Sequence, residues 1–503
     1  MPKLQPLLYV ALTLFLLAGL AAFAFESGFA LRTDGEIDYG EGIVYWQAAN
    51  VTDWKRAFHP VEQYPHIVFH YPPLFHLTSR VVALGTRNLL EAGRLTSILS
   101  MIGTCLIAGL LTWFLLPAGA GKAGRFLGAF TAATLVFSTP VWSWACLMRV
   151  DTLGIFFSVA GIALFVFARR RPALGFLAFV CFVAAVYCKQ TALAAPIACF
   201  LLALVERPRY ALQLGAFSVA LGLLFLFMLY RATDGYILRH LITYNQNPYF
   251  PEQILGRLRY HGADLIGPLF FSAMFPLVLL YRRKGQRFGF VRRLRLILNR
   301  SMFERCVLIV AMYFLFAALI AAATISKQGA SDNYFLEMDV VACLLSGLLV
   351  AWLARRVSFR PRRALVLLQI VVIFILLVQT AVNFRTLDWT YRNFMHPPAD
   401  RSPDVVNYLK TVPDPVYSED MVVLMHAGRQ IAAEPAIITA LADDGKWDQS
   451  SFVARIRNGE FHAIVVRWSL TNRGRFTKEV ADAVEERYYL TNDLEPFKLY
   501  LPK

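Results

Sequence analysis

Eleven apolar segments of 16 to 23 residues restrict the fold of this chain more than any other feature of its sequence. The hydrocarbon core of a bilayer is about 30 Å thick, and a helix of roughly 20 apolar residues crosses it. The sequence therefore predicts a mainly α, polytopic membrane protein with about 11 spans. The predicted spans are 7–25, 94–116, 126–145, 152–168, 172–188, 190–205, 210–230, 265–281, 303–325, 337–354 and 364–382.

The composition excludes a soluble globule. Of the 503 residues, 57% are hydrophobic and 17% are charged, whereas an ordinary soluble domain carries about 25% charged residues. The formal net charge is +16, but residues 1–382 carry +18 and residues 383–503 carry −2. The basic excess belongs to the membrane part, which indicates contact with anionic membrane lipids and not with nucleic acid.

The basic residues between the spans predict the orientation. If the N-terminus is cytoplasmic, the inner segments hold 22 Lys and Arg residues against only Glu206 and Glu304. The outer segments before residue 383 then hold 13 basic and 15 acidic residues. The positive-inside rule therefore favours an inner N-terminus. Because the number of spans is odd, the tail lies outside the plasma membrane, which in bacteria is the inner membrane.

The first apolar segment has two interpretations. It follows Lys3 and ends near Ala22-Phe23-Ala24, a triplet of the kind that precedes a signal-peptide cleavage site. Its apolar run of about 19 residues is longer than a usual signal core, which favours an uncleaved first helix. Both interpretations leave the next loop outside.

Two domains are predicted: a membrane core at 1–382, with interfacial helices in its outer loop 26–93, and a small extracytoplasmic α/β domain at 383–503. Segment 74–90 mixes apolar with basic residues, which is typical of an amphipathic helix at a membrane surface. Helical and strand-like patterns alternate in the tail. The predicted helices are 403–411, 448–458 and 476–487, and the predicted strands are 415–424, 461–467 and 496–501.

The candidate functional residues are the charged residues that flank the spans on the predicted outer face. Asp38 and Glu41 follow the first span, Arg149 and Asp151 lie between the third and fourth, and Lys189 lies between the fifth and sixth. Ionisable groups at the membrane are costly and often functional. A transporter would place such groups near the midplane. We therefore expect the chemistry at the outer surface.

These residue types suit the transfer of a group from a phosphate to a hydroxyl. Asp38 and Glu41, three positions apart, would share a face on a helical turn, and a shielded carboxylate acts as a general base toward a hydroxyl. Asp151 is the third predicted catalytic residue, as a group that binds the acceptor hydroxyl or a cation. Arg149 presents a planar fork of donors that suits phosphate, although a local ion pair with Asp151 is an equal alternative. Lys189 needs an anionic partner, such as a lipid phosphate.

Two loops supply further predicted substrate-binding residues. One is Tyr71, in the run His-Tyr-Pro-Pro, and the others are Lys327, Asn333 and Tyr334 between the ninth and tenth spans. Carboxylate oxygens are also ligands of Mg²⁺ and Mn²⁺. A divalent cofactor is therefore an open alternative, provided that the three outer carboxylates converge.

The order and sidedness of these motifs resemble the C-type membrane glycosyltransferases, in particular their bacterial protein-mannosyltransferase-like branch. The resemblance covers residues 1 to about 380. The motifs that carry it are Asp-Tyr-Gly-Glu at 38–41, Tyr-Pro-Pro-Leu at 71–74, Arg-x-Asp at 149–151, Lys-Gln-Thr at 189–191 and Asp-Asn-Tyr-Phe at 332–335.

The resemblance implies inverting transfer of a sugar from a polyprenyl-phosphate carrier to an acceptor outside the cytoplasm, which is a lipid, a glycan or a protein. It maps the first-loop base to Asp38, with Glu41 beside it. A second outer acidic group maps to Asp151, and the cations that bind the donor phosphate map to Arg149 and Lys189. Many members carry two adjacent acidic residues in the first loop, whereas two residues intervene here, so both first-loop carboxylates stay candidates for the base.

Two other classes of function compete with this reading. A flippase or exporter of lipid-linked sugars predicts polar residues along a path through the bilayer and often two related halves, and the sequence has neither. An assembly protein that presents its tail would lose all function when 383–503 is deleted, but it would tolerate Asp38→Asn.

Overall fold

The membrane part is built from helices. The computed structural model describes residues 4–116, 121–281, 289–359, 362–384, 400–491 and 494–503. Its helices up to residue 384 are α1 (Leu4–Arg32), α2 (Gly40–Asn50), α3 (Trp54–Ala57), α4 (Leu74–Val82), α5 (Leu89–Leu115), α6 (Lys122–Thr134), α7 (Asp151–Phe167), α8 (Ala173–Cys188), α9 (Ala194–Glu206), α10 (Pro208–Ala232), α11 (Tyr236–Leu238), α12 (Ile254–Ala263), α13 (Ile266–Tyr281), α14 (Phe290–Arg300), α15 (Met302–Thr324), α16 (Leu336–Phe359) and α17 (Arg363–Asn383).

Ten of the eleven predicted spans lie mainly on these helices, which confirms the polytopic helical fold. Among the described residues, six helices are long and apolar enough to cross a membrane alone, namely α1, α5, α10, α15, α16 and α17. The pair α12 and α13, bent by 96°, would count as a seventh span. Helices α7, α8 and α9 are shorter apolar helices. The side of the membrane that each end faces stays a prediction.

The predicted span 126–145 is not one continuous helix. Helix α6 ends at Thr134, and the chain continues through two short 3-10 helices, Leu135–Ser138 and Pro140–Cys146. Proline lacks a backbone N–H and disfavours the helical conformation of the residue before it. Thr139, directly before Pro140, is accordingly extended (φ −105°, ψ 155°), and the α-helix does not continue through it.

The amphipathic helix predicted over 74–90 is shorter in the structure: α4 is extended by a 3-10 turn at Ala83–Gly85, and the chain is extended at Thr86 before α5 begins at Leu89. His76 and Ser79 on this helix are buried, whereas Val81 and Leu84 are exposed. An apolar exposed face beside a buried polar one suits a helix at a membrane surface. Its placement at that surface stays a prediction.

The tail forms a small mixed sheet covered by helices. The strand order is β1-β2-β4-β3, with β1 parallel to β2 and the other pairs antiparallel. The elements are α18 (Ser402–Thr411), β1 (Val416–Ser418), α19 (Met421–His426), α20 (Pro435–Asp443), α21 (Ser450–Arg457), β2 (Ala463–Val466), α22 (Lys478–Arg487), β3 (Tyr488–Thr491) and β4 (Lys498–Pro502).

The prediction of one strand over 415–424 is wrong in its second half. The side chain of Asp420 accepts hydrogen bonds from the backbone N–H groups of Val422 (2.9 Å) and Val423 (3.2 Å). This is the geometry of a helix N-cap. The strand therefore stops at Ser418, and a helix begins at Met421.

The tail and the first outer loop share a hydrophobic core. Trp46 and Phe69 of the loop belong to the same buried cluster as Leu424 of the tail. The backbone N–H of His66 also donates to the carbonyl of Ala432 at 2.9 Å. The loop is therefore packed into the tail. The predicted domain boundary at 382/383 falls at the end of α17 and stays a prediction.

Candidate active site

Five of the predicted site residues lie at one end of the helix bundle. Asp151 begins α7, Lys189 follows α8, Asn333 and Tyr334 precede α16, and Tyr71 precedes α4. Each of these positions is the turn at the end of a helix. Side chains from four separate segments therefore meet there.

Asp151 and Lys189 form a buried ion pair. The amide nitrogen of Asn333 donates to both carboxylate oxygens of Asp151, at 3.2 and 3.3 Å. The Lys189 ammonium lies 4.5 Å from the centre of the Tyr334 ring. Burial opposes the charge of Lys189, but Asp151 and Tyr334 outweigh it and raise the pKa of this ammonium above its ordinary value. Lys189 is thus a fixed positive charge.

A second ion pair joins Asp38 to Arg149. The carboxylate of Asp38 also accepts a hydrogen bond from the backbone N–H of Gly40 at 3.1 Å. Burial opposes the charge of Arg149, but its acidic neighbours, first of all Asp38, raise its pKa. The alternative of a local pair between Arg149 and Asp151 is not realised, because each of them pairs with a distant segment instead.

Tyr71 lies between the two ion pairs. Burial raises the pKa of its hydroxyl to about 12, and the charged groups of both pairs act on it. The structure therefore brings the predicted residues into one cluster, which we call the outer cluster. Its members are Asp38, Tyr71, Arg149, Asp151, Lys189, Asn333 and Tyr334.

Glu41 has a different environment. Its fully buried carboxylate accepts two hydrogen bonds of 2.8 Å from Arg94 and one of 2.8 Å from the backbone N–H of Met148. Burial alone would raise the pKa of Glu41, but Arg94 lowers it below the ordinary value. Asp38 and Glu41 lie on one turn at the start of α2, where the backbone N–H of Glu41 donates to the carbonyl of Asp38 at 2.9 Å, but their carboxylates pair with different arginines.

Lys327 lies in a loop that pairs with Tyr249 by an antiparallel bridge. The next backbone N–H, of Gln328, donates to the carbonyl of Pro248 at 2.9 Å. Among the contacts of the described residues, none joins Lys327 to the outer cluster. Its role in substrate binding stays a prediction.

A cleft opens beside the outer cluster and runs between α7 and α15. Its polar end is lined by Asp151, Lys189 and Tyr334. Its walls are small and aliphatic side chains, among them Ile155 of α7 and Ala317 of α15. A charged head with an apolar wall behind it is the shape that an amphiphilic phosphate ester would need.

Comparison of the sequence with protein-family models and with curated proteins finds no match. Solved structures do match. ArnT from Cupriavidus metallidurans, solved bound to undecaprenyl phosphate, matches with a TM-score of 0.57 at 13% identity over 97% of each chain. The apo oligosaccharyltransferase of Archaeoglobus fulgidus matches with a TM-score of 0.52 at 13% identity, over 96% of this chain and 74% of that one. The chain has the C-type membrane glycosyltransferase fold.

Two buried ionisable residues beside the outer cluster were missed by the sequence reasoning. Glu337 lines the cleft, and its carboxylate accepts a hydrogen bond of 2.8 Å from the hydroxyl of Tyr313. Arg94 holds Glu41. Both are ionisable residues at the first position of a predicted span, 337–354 and 94–116. That position is the signal that could have identified them.

The tail also reaches the residue next to Asp38. The hydroxyl of Tyr39 is hydrogen bonded to the Glu434 side chain and accepts from the backbone N–H of Ala436 at 3.1 Å. The guanidinium of Arg475 lies 3.2 Å from the centre of the Tyr39 ring. The tail therefore holds the backbone that carries Asp38.

The acidic residues do not fit a divalent cation as they stand. The described residues contain no group of three or more His, Cys, Asp or Glu side chains placed to hold a metal ion. Asp38, Glu41 and Asp151 each pair with a different cationic side chain instead of converging. No step of the function proposed below goes through a metal ion.

Proposed function

We propose that this chain is an integral membrane glycosyltransferase that transfers a sugar from a polyprenyl-phosphate donor to an acceptor hydroxyl outside the cytoplasm, with inversion. The observation that carries the proposal is the outer cluster, in which a carboxylate and two cations meet at one end of a C-type helix bundle. Base and phosphate-binding groups are then within one site.

Asp38 is the proposed base, and Glu41 is not. Asp38 has one charged partner and its side chain is 30% exposed, whereas the Glu41 side chain is 0% exposed. A base must come within hydrogen-bond reach of the proton that it removes. Only Asp38 is open to a substrate.

The proposed reaction is a single displacement. The Asp38 carboxylate accepts the proton of the acceptor hydroxyl while the oxygen of that hydroxyl bonds to the anomeric carbon. The bond from this carbon to the phosphate oxygen breaks, and polyprenyl phosphate leaves with the electron pair. Arg149 and Lys189 stabilise the charge that gathers on the phosphate. Attack opposite to the leaving group inverts the configuration, as in inverting glycosidases.

The cleft supports a lipid-linked donor. Its lining places the Lys189 ammonium, which suits a phosphate, next to apolar side chains of α7 and α15, which suit a lipid chain. The solved ArnT structure contains undecaprenyl phosphate, which is a carrier of this class. Tyr71, Asn333 and Tyr334 border the same space and are proposed to bind the substrates.

The test offers the purified full chain, in lipid nanodiscs, a panel of polyprenyl-phosphate sugars with lipid, glycan and peptide acceptors. Mass spectrometry follows consumption of each donor. We expect one donor to be consumed and polyprenyl phosphate to be released. Lys189→Gln should slow this release, whereas the exposed Lys55→Gln, an equal loss of charge, should not.

Two outcomes would contradict the proposal. Donor that crosses sealed vesicles unchanged would identify an exporter of lipid-linked sugars. A folded protein that consumes no donor, and that loses its function only when 383–503 is deleted, would identify an assembly protein.

A further inference from the structure

A second charged pocket lies at the opposite end of the helices that form the outer cluster. Helix α15 runs from Met302 to Thr324, and 23 residues of α-helix span about 34 Å. Thr324 lines the outer cleft, whereas Arg305 lines the second pocket. The two pockets therefore belong to opposite membrane faces.

The floor of this pocket is a buried ion pair. Arg305 is 2% exposed and pairs with Glu206 at the end of α9. Its guanidinium also donates to the carbonyl of Val166 at 3.1 Å and lies 5.3 Å from the centre of the Phe165 ring. These contacts join the ends of α7, α9 and α15, so Arg305 is held in one position at the base of the pocket.

The rim of the pocket carries unneutralised positive charge. Arg169, Arg207, Tyr210 and Asn299 line it together with the ion pair. Arg207 is exposed, and its side chain makes no hydrogen bond or ion pair within the part of the chain that the structure describes. Arg169 donates only one hydrogen bond, of 3.3 Å, to the carbonyl of Leu298. Three arginines thus face one glutamate, and planar guanidinium groups are suited to phosphate.

Helix α14 places this pocket at the surface of a bilayer. Its residues Leu294, Ile297 and Leu298 are buried against the bundle, while Val291 and Leu296 are exposed beside arginines. A basic helix with exposed apolar residues lies in the headgroup region. At that depth the most abundant anions are the headgroups of membrane lipids.

We propose that Arg169 and Arg207, at the rim above the buried pair of Arg305 and Glu206, bind the phosphate of an anionic phospholipid in the leaflet opposite to the outer cluster. Basic pockets between helices at the cytoplasmic side bind such headgroups. The site is separate from the proposed donor site, because the two occupy opposite ends of α7 and α15. It therefore does not depend on the proposed enzymatic activity.

The experiment places the full chain in nanodiscs of phosphatidylcholine with a minor share of phosphatidylglycerol, and native mass spectrometry counts the phosphatidylglycerol retained. Arg207→Gln and Arg169→Gln should each weaken retention about tenfold or more, as expected for the loss of a charge-assisted contact. Arg209→Gln is the matched control. Arg209 is exposed, two residues from Arg207, and does not line the pocket.

Three results would overturn the proposal. The first is no retained phosphatidylglycerol in the unsubstituted protein. The second is an equal loss in all three variants, which would indicate diffuse attraction to the membrane surface. The third is displacement of the lipid by millimolar inorganic phosphate, with equal thermal stabilisation of the protein by phosphate in pure phosphatidylcholine, which would assign the pocket to a soluble anion.

Discussion

Asp38 and Glu41 are close in sequence, but their carboxylates differ in exposure and in the cation that each one pairs with. Asp38 shares the outer cluster with Arg149 and is partly open to solvent. Glu41 is enclosed with Arg94, whose guanidinium also donates to the carbonyls of Ala30, Thr33 and Gly35. The second pair holds the loop after α1 onto α5, whereas the first pair is the one accessible to a substrate of the proposed reaction.

Asp38→Asn should lower turnover by about 10² or more, because general-base catalysis contributes on the order of 10²–10⁴. The amide keeps the shape of the side chain, so the thermal midpoint should change little. Release of polyprenyl phosphate, measured at saturating donor, checks the prediction. Normal turnover in a folded Asp38→Asn protein would remove Asp38 from the mechanism.

Glu41→Gln should reduce the stability of the protein but leave the turnover of each folded molecule unchanged. It leaves the buried Arg94 without its counter-ion, and breaking a buried pair costs about 3–5 kcal/mol. The thermal midpoint in detergent and the yield of monodisperse protein measure this loss. A Glu41→Gln protein with ordinary stability but no turnover would show that Glu41, and not Asp38, is the base.

At the scale of elements, α6 and α16 approach closely because small residues face each other. A Cβ atom built on Gly347 of α16 would lie 2.5 Å from both the Cβ and the backbone nitrogen of Ala132 on α6. Gly128 of α6 has a similar close contact with Ala351. Stripes of small residues let membrane helices pack backbone to backbone.

Gly347→Ala should therefore destabilise the bundle by about 1–3 kcal/mol, the usual cost of overpacking. Gly222→Ala on α10 is the control, because a Cβ there meets nothing within 4 Å. The thermal midpoints of both variants in the same detergent make the comparison. Equal midpoints would contradict the close packing of α6 against α16.

The elements also show which signals the sequence carries. The length of an apolar segment depends only on consecutive residues, so the spans could be predicted directly from the sequence. Hydropathy averaged over such a segment does not reveal the break in the helix near Pro140. Strand β3 was not predicted, because a four-residue strand depends on its partner, here the pairing of Tyr489 with Leu501 of β4. Short elements of the tail follow from packing rather than from local pattern.

The sequence predicted the residues that form the outer cluster, but it did not predict which of them pair with each other. Sidedness placed Asp38, Arg149, Asp151 and Lys189 at one face, and they do meet there. The partners, however, lie 111 and 38 positions apart in the chain. Only the folded bundle decides that Arg149 pairs with Asp38 and Lys189 with Asp151.

At the scale of the whole molecule, the tail is joined to the membrane core beside the site. Arg467 of the tail donates to the carbonyl of Glu36 at 2.6 Å and to the Asp420 carboxylate at 3.3 Å. Glu36 is 3% exposed, and one of its carboxylate oxygens has no hydrogen-bond partner among the described residues. Two carboxyl groups and one guanidinium are thus enclosed where loop and tail meet.

We expect this arrangement to make the docking of the tail depend on pH. Burial, and then the nearby Asp420, raise the pKa of Glu36 well above its ordinary value of 4.5. Burial also raises the pKa of Asp420. A raised pKa in the docked state means that docking favours the protonated form. The stabilisation is complete below about pH 4.5 and is lost as the pH rises through the raised pKa, with a slope of at most about 1.4 kcal/mol per pH unit for each proton.

Glu36→Gln should remove most of this dependence, because the amide stays neutral at every pH. Hydrogen exchange of the backbone amides in α19 and β2, measured from pH 5 to pH 8 after correction for intrinsic rates, reports the docking. The unsubstituted protein should lose protection as the pH rises, whereas Glu36→Gln should keep it and exceed the parent at pH 8. Glu485→Gln, an equal change at an exposed position of α22, should leave the slope unaltered. An unchanged slope in Glu36→Gln would mean that Glu36 is ionised at the interface and that Arg467 alone compensates its charge.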